Sequence, residues 1–173
     1  MNATRQWLVS TGEQDPDSVG RLLRALPHWF GIEASVLEYI EDARELPTYL
    51  AREPEDLQEG KRVGIPVGVL LARRHFPGAA EIHLLAVQPD LHRSGVGRAL
   101  VGALVADLAA DGVQLLQVKT LGPSRDDAGY AKTRQFYTAM GFQPLEERDD
   151  LWDPGNPCLF MVKVLSRAPR AQA

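Results

Sequence analysis

One stretch, from Glu81 to Arg98, constrains the fold of this chain more than any other: EIHLLAVQPDLHRSGVGR. Its apolar segment, Ile82 to Val87, has the length of a strand and stops at Pro89, and a short basic loop then leads to Gly95 and Gly97. The apolar residues that follow recur at four-residue spacing, which predicts an amphipathic helix. Because the first-turn amides of a helix are unpaired and lie at the positive end of its dipole, we expect this junction to hold an anion such as a pyrophosphate.

Length and charge restrict the class of protein. The chain has 173 residues, which suits one domain, and we predict that domain over residues 1–165, with a disordered tail over 166–173. The net charge of −4 and the scattered basic residues argue against a nucleic-acid partner. The sequence shows neither a signal peptide nor an apolar run of transmembrane length, and its single cysteine, Cys158, fits a reducing compartment. We therefore predict a cytoplasmic protein without a membrane partner.

Hydrophobic periodicity predicts a mixed α/β fold with helices flanking a mostly antiparallel sheet. The predicted strands cover residues 7–10, 48–51, 63–76, 81–87, 113–121, 142–147 and 158–165. The predicted helices cover residues 16–26, 33–42, 95–111 and 130–140. A polar turn is expected over 54–61, and Gly64 and Pro66 suggest a bulge or a sheet edge near the start of the third strand. Because a long helix separates the fourth strand from the fifth, these two are expected to form a parallel crossover.

The predicted helices near the N-terminus have recognisable inner faces. Leu22, Leu23 and Leu26 share one face of the first helix. In the second helix, the residues expected on the inner side are Val36, Leu37 and Ile40.

Around the two glycines, the run LAVQPDLHRSGVGRALV resembles the acyl-CoA signature Q/R-x-x-G-x-G/A of the GCN5-related N-acetyltransferase (GNAT) superfamily. Gly95 and Gly97 match the pattern, whereas His92 stands at the Q/R position and Arg93 keeps positive charge beside it. A second run, RQFYTAMGF, is similar to the helix end and strand start of a further family motif. The resemblance covers roughly residues 63–165 and implies a sheet of six or seven strands that splays after the fourth, here expected after Val87.

The resemblance implies that acetyl-CoA is the acyl donor. The main chain of Leu85, Ala86 and Val87 would pair with pantetheine as an added strand does, and the Val87 amide would polarise the thioester carbonyl. Tyr130 stands where the family often has an asparagine that contacts pantetheine. The remaining residues implied for coenzyme binding are His92, Arg93, Ser94, Gly95, Val96, Gly97 and Arg98.

The resemblance also implies acid–base residues. Glu81 matches the general-base glutamate of the histone-acetyltransferase branch, and a carboxylate suits the task because an alkylamine must lose a proton before it attacks a thioester. A glutamate used by other branches is replaced by Gln117. His83 is the second candidate base, and Tyr137 resembles the acid that protonates the departing thiolate. The alternatives are a solvated Glu81, a structural His83 and a core Tyr137.

On the acceptor side, the implied residues are Trp29, Phe30, Glu81, His83 and Lys119, although core burial of at least one of the two aromatic residues is the alternative. We predict direct acetyl transfer to a primary amine of a small molecule. A non-catalytic acyl-CoA sensor, or acetylation of a protein lysine or N-terminus, remains open, as does a homodimer. The four histidines lack metal-ligand spacing, so no metal is expected.

Overall fold

The structure, a computed structural model, describes residues 6–53, 57–58, 61–62 and 64–165. The helices are α1 (Pro16–Arg24), α2 (Glu33–Asp42), α3 (Val96–Ala110) and α4 (Ala128–Ala139). The strands are β1 (Leu8–Thr11), β2 (Thr48–Arg52), β3 (Leu57–Gln58), β4 (Lys61–Arg62), β5 (Gly68–Phe76), β6 (Ala79–Val87), β7 (Leu115–Leu121), β8 (Gln143–Arg148) and β9 (Cys158–Val164). Among the described residues, no helix is long and apolar enough to cross a membrane.

Seven strands form one sheet in the order β1-β2-β5-β6-β7-β9-β8, and β3 and β4 form a separate two-stranded ladder. The pairs β1–β2, β2–β5, β7–β9 and β8–β9 are antiparallel, whereas β6 and β7 are parallel. The predicted mixed, mostly antiparallel sheet and its parallel crossover are therefore confirmed.

The structure differs from the predicted elements at three points. The third predicted strand begins at Gly68 rather than before Pro66, because proline has no N–H to donate to a ladder. This strand, β5, lies inside the sheet and not at its edge. The ladder between β6 and β7 ends at the pair Ile82–Val118, so pairing stops earlier along β6 than the expected Val87. Val63, most of the predicted polar turn and the tail at 166–173 lie outside the described residues.

The chain divides into two compact units, Met1–Arg73 with Leu84–Leu104, and Arg74–His83 with Val105–Ala173. The prediction of a single domain over residues 1–165 stays a prediction. In the first unit, α1 and α2 pack on a buried cluster that includes Leu50, Val69 and Leu84. Leu22 and Leu23 are buried, which confirms the predicted inner face of α1, and Leu26, just beyond the end of α1 at Arg24, is buried as well.

The predicted inner face of α2 is wrong at one position. Val36 is buried and Ile40 packs against the cluster, but Leu37 is 55% exposed. Val36 and Ile40 lie one above the other at i,i+4 spacing, whereas Leu37 is turned about 100° around the helix from Val36. The surface that this short helix buries in the core is therefore a narrow stripe.

In the second unit, β9 pairs with β7 along seven residues and with β8 on its other side. The β8–β9 register shifts between Pro144 and Glu146, so that Leu145 is an extra, exposed residue at a bulge. Gly141 ends α4 with a φ of 87°, a conformation that glycine adopts without strain. Helix α4, this glycine and β8 thus form the connection predicted from the second motif.

Helix α3 approaches β5 closely at Gly68. A Cβ built at Gly68 would lie 2.6 Å from Cγ1 of Val96 and 3.1 Å from Cδ1 of Leu100. Both side chains are buried, and Val96 is the first residue of α3. Gly68 therefore sets how closely the first turn of α3 packs on the sheet.

We expect Gly68→Ala to destabilise the fold by about 1–3 kcal/mol, because the added methyl group meets buried side chains. The control is Gly102→Ala in α3, where a Cβ meets no atom within 4 Å, and where alanine should stabilise the helix by about 0.8–1 kcal/mol. Urea unfolding of both variants measures the two effects. A Gly68→Ala variant as stable as the wild type would contradict the close approach of α3.

Candidate active site

The loop between β6 and α3 has the shape of an anion site. A 3-10 turn over Pro89–Leu91 follows β6, and Arg93 and Gly95 then take left-handed conformations with φ of 65° and 98°. The helix starts when the amide of Ala99 donates to the carbonyl of Gly95, 3.0 Å away. The amides of Val96 to Arg98 consequently have no helical acceptor, and the first turn of α3 contains no acidic residue. These amides are open to an anion.

Two contacts from outside the helix hold this loop in place. The indole Nε1 of Trp7 donates to the carbonyl of Ser94 at 2.9 Å, and the Ser94 hydroxyl donates to the carbonyl of Leu91 at 2.6 Å. Trp7 was predicted only as a strand residue. Its indole also limits the space above Gly95, where an added Cβ would lie 3.6 Å from Nε1. No sequence pattern indicates this contact, because Trp7 and Ser94 are 87 residues apart.

The ring of His92 contacts the end of β6. Its Nε2 is 2.9 Å from the carbonyl oxygen of Val87, and because a carbonyl only accepts, this nitrogen carries the proton. The His92 ring also packs edge-on against Trp29, with 5.8 Å between the centroids. A residue implied for coenzyme binding thus contacts one implied for acceptor binding.

The direction in which the N–H and C=O groups of Val87 point follows from the hydrogen bond of the next residue, Gln88. The amide of Gln88 donates to the carbonyl of Val67 at 2.8 Å, which continues the pairing of β6 with β5. Since the bonding direction alternates along an antiparallel ladder, the main-chain groups of Val87 face the opposite way. The hydrogen bond between Val87 and His92 agrees with this direction. In the β6–β7 ladder, no residue after Ile82 is paired, so this side of β6 is open within the ladder.

Glu81 lies at the centre of a polar cluster. Its side chain is only 5% exposed, and its carboxylate accepts three hydrogen bonds. Lys119 Nζ donates to Oε1 at 2.8 Å, while His75 Nε2 and Gln117 Nε2 approach Oε2 at 2.6 and 3.1 Å. An ionised carboxylate only accepts, so His75 Nε2 carries a proton. The sequence predicted Glu81 and Lys119 as site residues but missed His75.

The environment of Glu81 affects its basicity. Burial of the carboxyl group raises its pKa, but the hydrogen bonds of Lys119, His75 and Gln117, together with the charge of Lys119, outweigh burial and hold the pKa of Glu81 below its usual range. Glu81 is therefore ionised at neutral pH. Within the described part of the chain, Oε1 accepts from Lys119, and a carboxylate oxygen has a second lone pair that can accept from a further donor.

Two residues of β9 complete the surroundings of this cluster. Lys119 is directly opposite Phe160 in the β7–β9 ladder, and its Nζ lies 5.8 Å from the centre of the Phe160 ring. Cys158 is fully buried, and burial raises the pKa of its thiol to about 11. The thiol is therefore neutral at physiological pH and is a poor nucleophile.

Tyr137 is the buried aromatic residue of α4. Its ring is 4% exposed and packs edge-on against Phe142 and Phe136, at centroid distances of 5.5 and 5.3 Å. Its neighbour Phe136 is only half-buried, so Tyr137 is the residue of this pair that faces the core. Gly141 turns the chain so that Phe142 packs on Tyr137, which places the tyrosine inward.

The other predicted residues have less specific surroundings. Trp29 and Phe30 are both half-buried against the core of the first unit, and Phe30 meets the Tyr39 ring edge-on. His83 is half-buried and is not among the three donors to Glu81. Tyr130 lies in the first turn of α4, where its amide donates to the Asp127 cap at 2.9 Å. Among the described residues, no group of three or more acidic, histidine or cysteine side chains is arranged to hold a metal ion.

Comparison with known proteins identifies the family. The model of the acetyltransferase (GNAT) domain matches residues 49–144, more than half of the chain. The chain belongs to the GNAT acetyltransferases. This acyltransferase has no significant sequence match among curated proteins.

Solved structures share its fold. A Desulfovibrio desulfuricans protein assigned to the GNAT family is 21% identical and superposes with a TM-score of 0.76 over 93% of this chain and 100% of that one. The ribosomal-protein-S18-alanine N-acetyltransferase of Escherichia coli is 18% identical, with a TM-score of 0.72 over 97% and 99%. An aminoglycoside 6'-N-acetyltransferase complexed with coenzyme A is 17% identical, with a TM-score of 0.68 over 94% and 99%. The last two names specify different acceptors, so the shared fold does not select one.

Proposed function

We propose that this GNAT acetyltransferase transfers the acetyl group of acetyl-CoA directly to a primary amine of a small molecule. One observation carries the proposal: the first turn of α3 presents unpaired amides beyond Gly95, without an acidic side chain, in a loop fixed by Trp7. A diphosphate is the group of acetyl-CoA that suits these amides. Arg93 and Arg98 add positive charge beside them.

The coenzyme would continue from the diphosphate along β6. We propose that the main-chain groups of Leu85 and Val87, which face the open side of β6, pair with pantetheine, and that the Val87 amide polarises the thioester carbonyl. The main-chain groups of Ala86, also predicted for this pairing, face β5 by the same alternation. The open side of β6 after Ile82 supports this role. His92 holds the Val87 carbonyl and thereby orients the peptide units next to it. Tyr130 would contact pantetheine from α4.

The reaction balances as a direct transfer. The amine nitrogen attacks the thioester carbonyl carbon, a tetrahedral intermediate forms, and the carbon–sulfur bond breaks to give an amide and the CoA thiolate. The ammonium group loses one proton to become the attacking amine, and the nitrogen loses a second proton as the amide forms. The thiolate takes up one proton, so that one is released overall. Direct transfer needs no enzyme nucleophile, in agreement with the neutral, buried thiol of Cys158.

We propose Glu81 as the base, acting through a water molecule that donates to its Oε1, with His83 as a second residue on the proton path. The ionised state of Glu81 and the second lone pair of Oε1 support this role, while the lowered pKa makes Glu81 a weak base. Tyr137 would protonate the thiolate. Trp29, Phe30 and Lys119 are proposed to contact the acceptor. A cytoplasmic location and a homodimer stay predictions.

The test is an acceptor screen with acetyl-CoA, read by thiol release and by product mass. We expect small primary amines to release thiol and gain one acetyl group, with little release in reactions that lack an amine. Coenzyme binding measured by calorimetry, without release by any acceptor, would favour the sensor alternative. Release by peptides or proteins alone would contradict a small-molecule acceptor.

A further inference from the structure

The Glu81 cluster exposes its N–H groups and hides its carboxylate. The side chain of Glu81 is 5% exposed, whereas those of Lys119 and His75 are 28% and 36% exposed. A molecule that arrives from solvent therefore meets an ammonium group and an imidazole before it meets the carboxylate. This accessible surface suits a hydrogen-bond acceptor better than a cation.

The charges of the cluster also favour a hydrogen-bond acceptor over a cation as its ligand. Glu81 and Lys119 cancel each other as an ion pair, Gln117 is neutral, and the raised pKa of Cys158 keeps its nearby thiol neutral. The sum over these groups is therefore not negative, whatever the charge of the His75 ring. A cationic acceptor loses hydration when it binds, and this cluster has no uncompensated negative charge that would offset that loss.

Lys119 is also held in position. Its Nζ is fixed between Oε1 of Glu81 at 2.8 Å and the ring of Phe160 at 5.8 Å. An ammonium group has three N–H donors, and the hydrogen bond to Glu81 uses one of them. A positioned donor loses less conformational entropy when it binds a ligand than a freely rotating lysine does.

We propose that Lys119, assisted by His75, selects acceptors that carry an anionic oxygen group, such as a carboxylate, beside the amine to be acetylated. This inference rests on the proposed acetyl transfer. Glu81 then has two roles. It positions Lys119, and its own basicity rises when an anion binds to Lys119, because that anion lies near the carboxylate. An acceptor with the right charge would thereby improve its own deprotonation.

Matched acceptors test the proposal. The two acceptors of a pair carry the same amine, but one has a carboxylate and the other has the corresponding carboxamide. A series of phosphonates distinguishes an effect of charge from an effect of carboxylate shape. We expect kcat/KM for the carboxylate to exceed that for the carboxamide by about tenfold or more. Lys119→Met should bring the ratio close to one, and Lys119→Arg should keep most of it. Lys132→Met, which removes an exposed charge from α4, is the control and should leave the ratio unchanged.

The double variant Lys119→Met/Glu81→Gln removes both charges of the ion pair, so a loss of preference that it shares with Lys119→Met is not due to an unpaired Glu81. Equal kcat/KM for carboxylates and carboxamides in the wild type would overturn this inference and leave acetyl transfer intact. A preference that survives in Lys119→Met would overturn it as well. If neither series is acetylated while peptides are, the proposed small-molecule function fails and this inference fails with it.

Discussion

Tyr137→Phe is expected to lower kcat by about 10²- to 10³-fold, because the departing thiolate would lose its proton donor. The affinity for acetyl-CoA should change little, since the ring and its contacts with Phe136 and Phe142 remain. Steady-state kinetics with a saturating acceptor and calorimetric titration with acetyl-CoA measure the two quantities separately.

A second buried tyrosine provides the control. Tyr49, in β2, is 6% exposed, close to the 4% of Tyr137, so Tyr49→Phe also removes the hydroxyl group of a buried tyrosine. Each substitution should cost about 1 kcal/mol of stability, and kcat should fall in Tyr137→Phe alone. An unchanged kcat in Tyr137→Phe would remove the acid role and leave Tyr137 as a core residue.

Glu81→Gln is expected to lower kcat/KM by about 10²-fold or more, since the amide accepts no proton from the acceptor. The variant also affects the fold. Lys119 would lose its counter-ion, and the amide group would face the donors of His75 and Gln117, at a cost of about 1–3 kcal/mol at pH 7. Unfolding and kinetics must therefore be measured on the same preparation.

The pH dependence of stability identifies this carboxylate. Because the pKa of Glu81 is lower in the folded protein than in the unfolded chain, the ionised group stabilises the fold above the ordinary glutamate pKa, about 4.3, and that contribution disappears as the pH falls through the folded-state value. The stability difference between the wild type and Glu81→Gln should therefore shrink on acidification. A difference that stays constant from pH 7 to pH 3 would contradict the lowered pKa.

Glu146→Gln serves as the control, because Glu146 is an exposed carboxylate on β8. It should leave kcat/KM and stability nearly unchanged. Comparison with Lys119→Met/Glu81→Gln separates the lost base from the unpaired lysine: if the double variant regains stability but not activity, the base role is supported. Full activity in either variant that lacks Glu81 would exclude that role.

The helix ends and turns could be predicted from the sequence, because residues close in sequence determine them. Asp15 and Pro16 begin α1, and the Asp15 carboxylate accepts from the Ser18 amide as a cap does. Gly112 and Gly141 end helices with φ of 78° and 87°. The apolar stripe of α3 is buried from Val96 to Leu108, and the parallel crossover follows from the length of that helix.

The coenzyme loop was predicted in outline and completed by distant contacts. The spacing of Gly95 and Gly97 indicates a close approach of a ligand to the backbone, and Gly95 indeed has a positive φ. The indole that holds Ser94 comes from Trp7, at the other end of the chain. The sequence assigned His92 to the coenzyme, and the fold turns its ring to Val87 and Trp29.

The state of Glu81 is the clearest case of what only the tertiary structure decides. Sequence spacing selected Glu81 as a base, but its three donors come from other parts of the chain, at separations of 6, 36 and 38 residues. Helix ends, strands and glycine turns depend on neighbours within a few residues, so the sequence determines them alone. The pKa and exposure of a carboxylate depend on groups that strand pairing brings within about 3 Å. That register is set by the folded sheet as a whole.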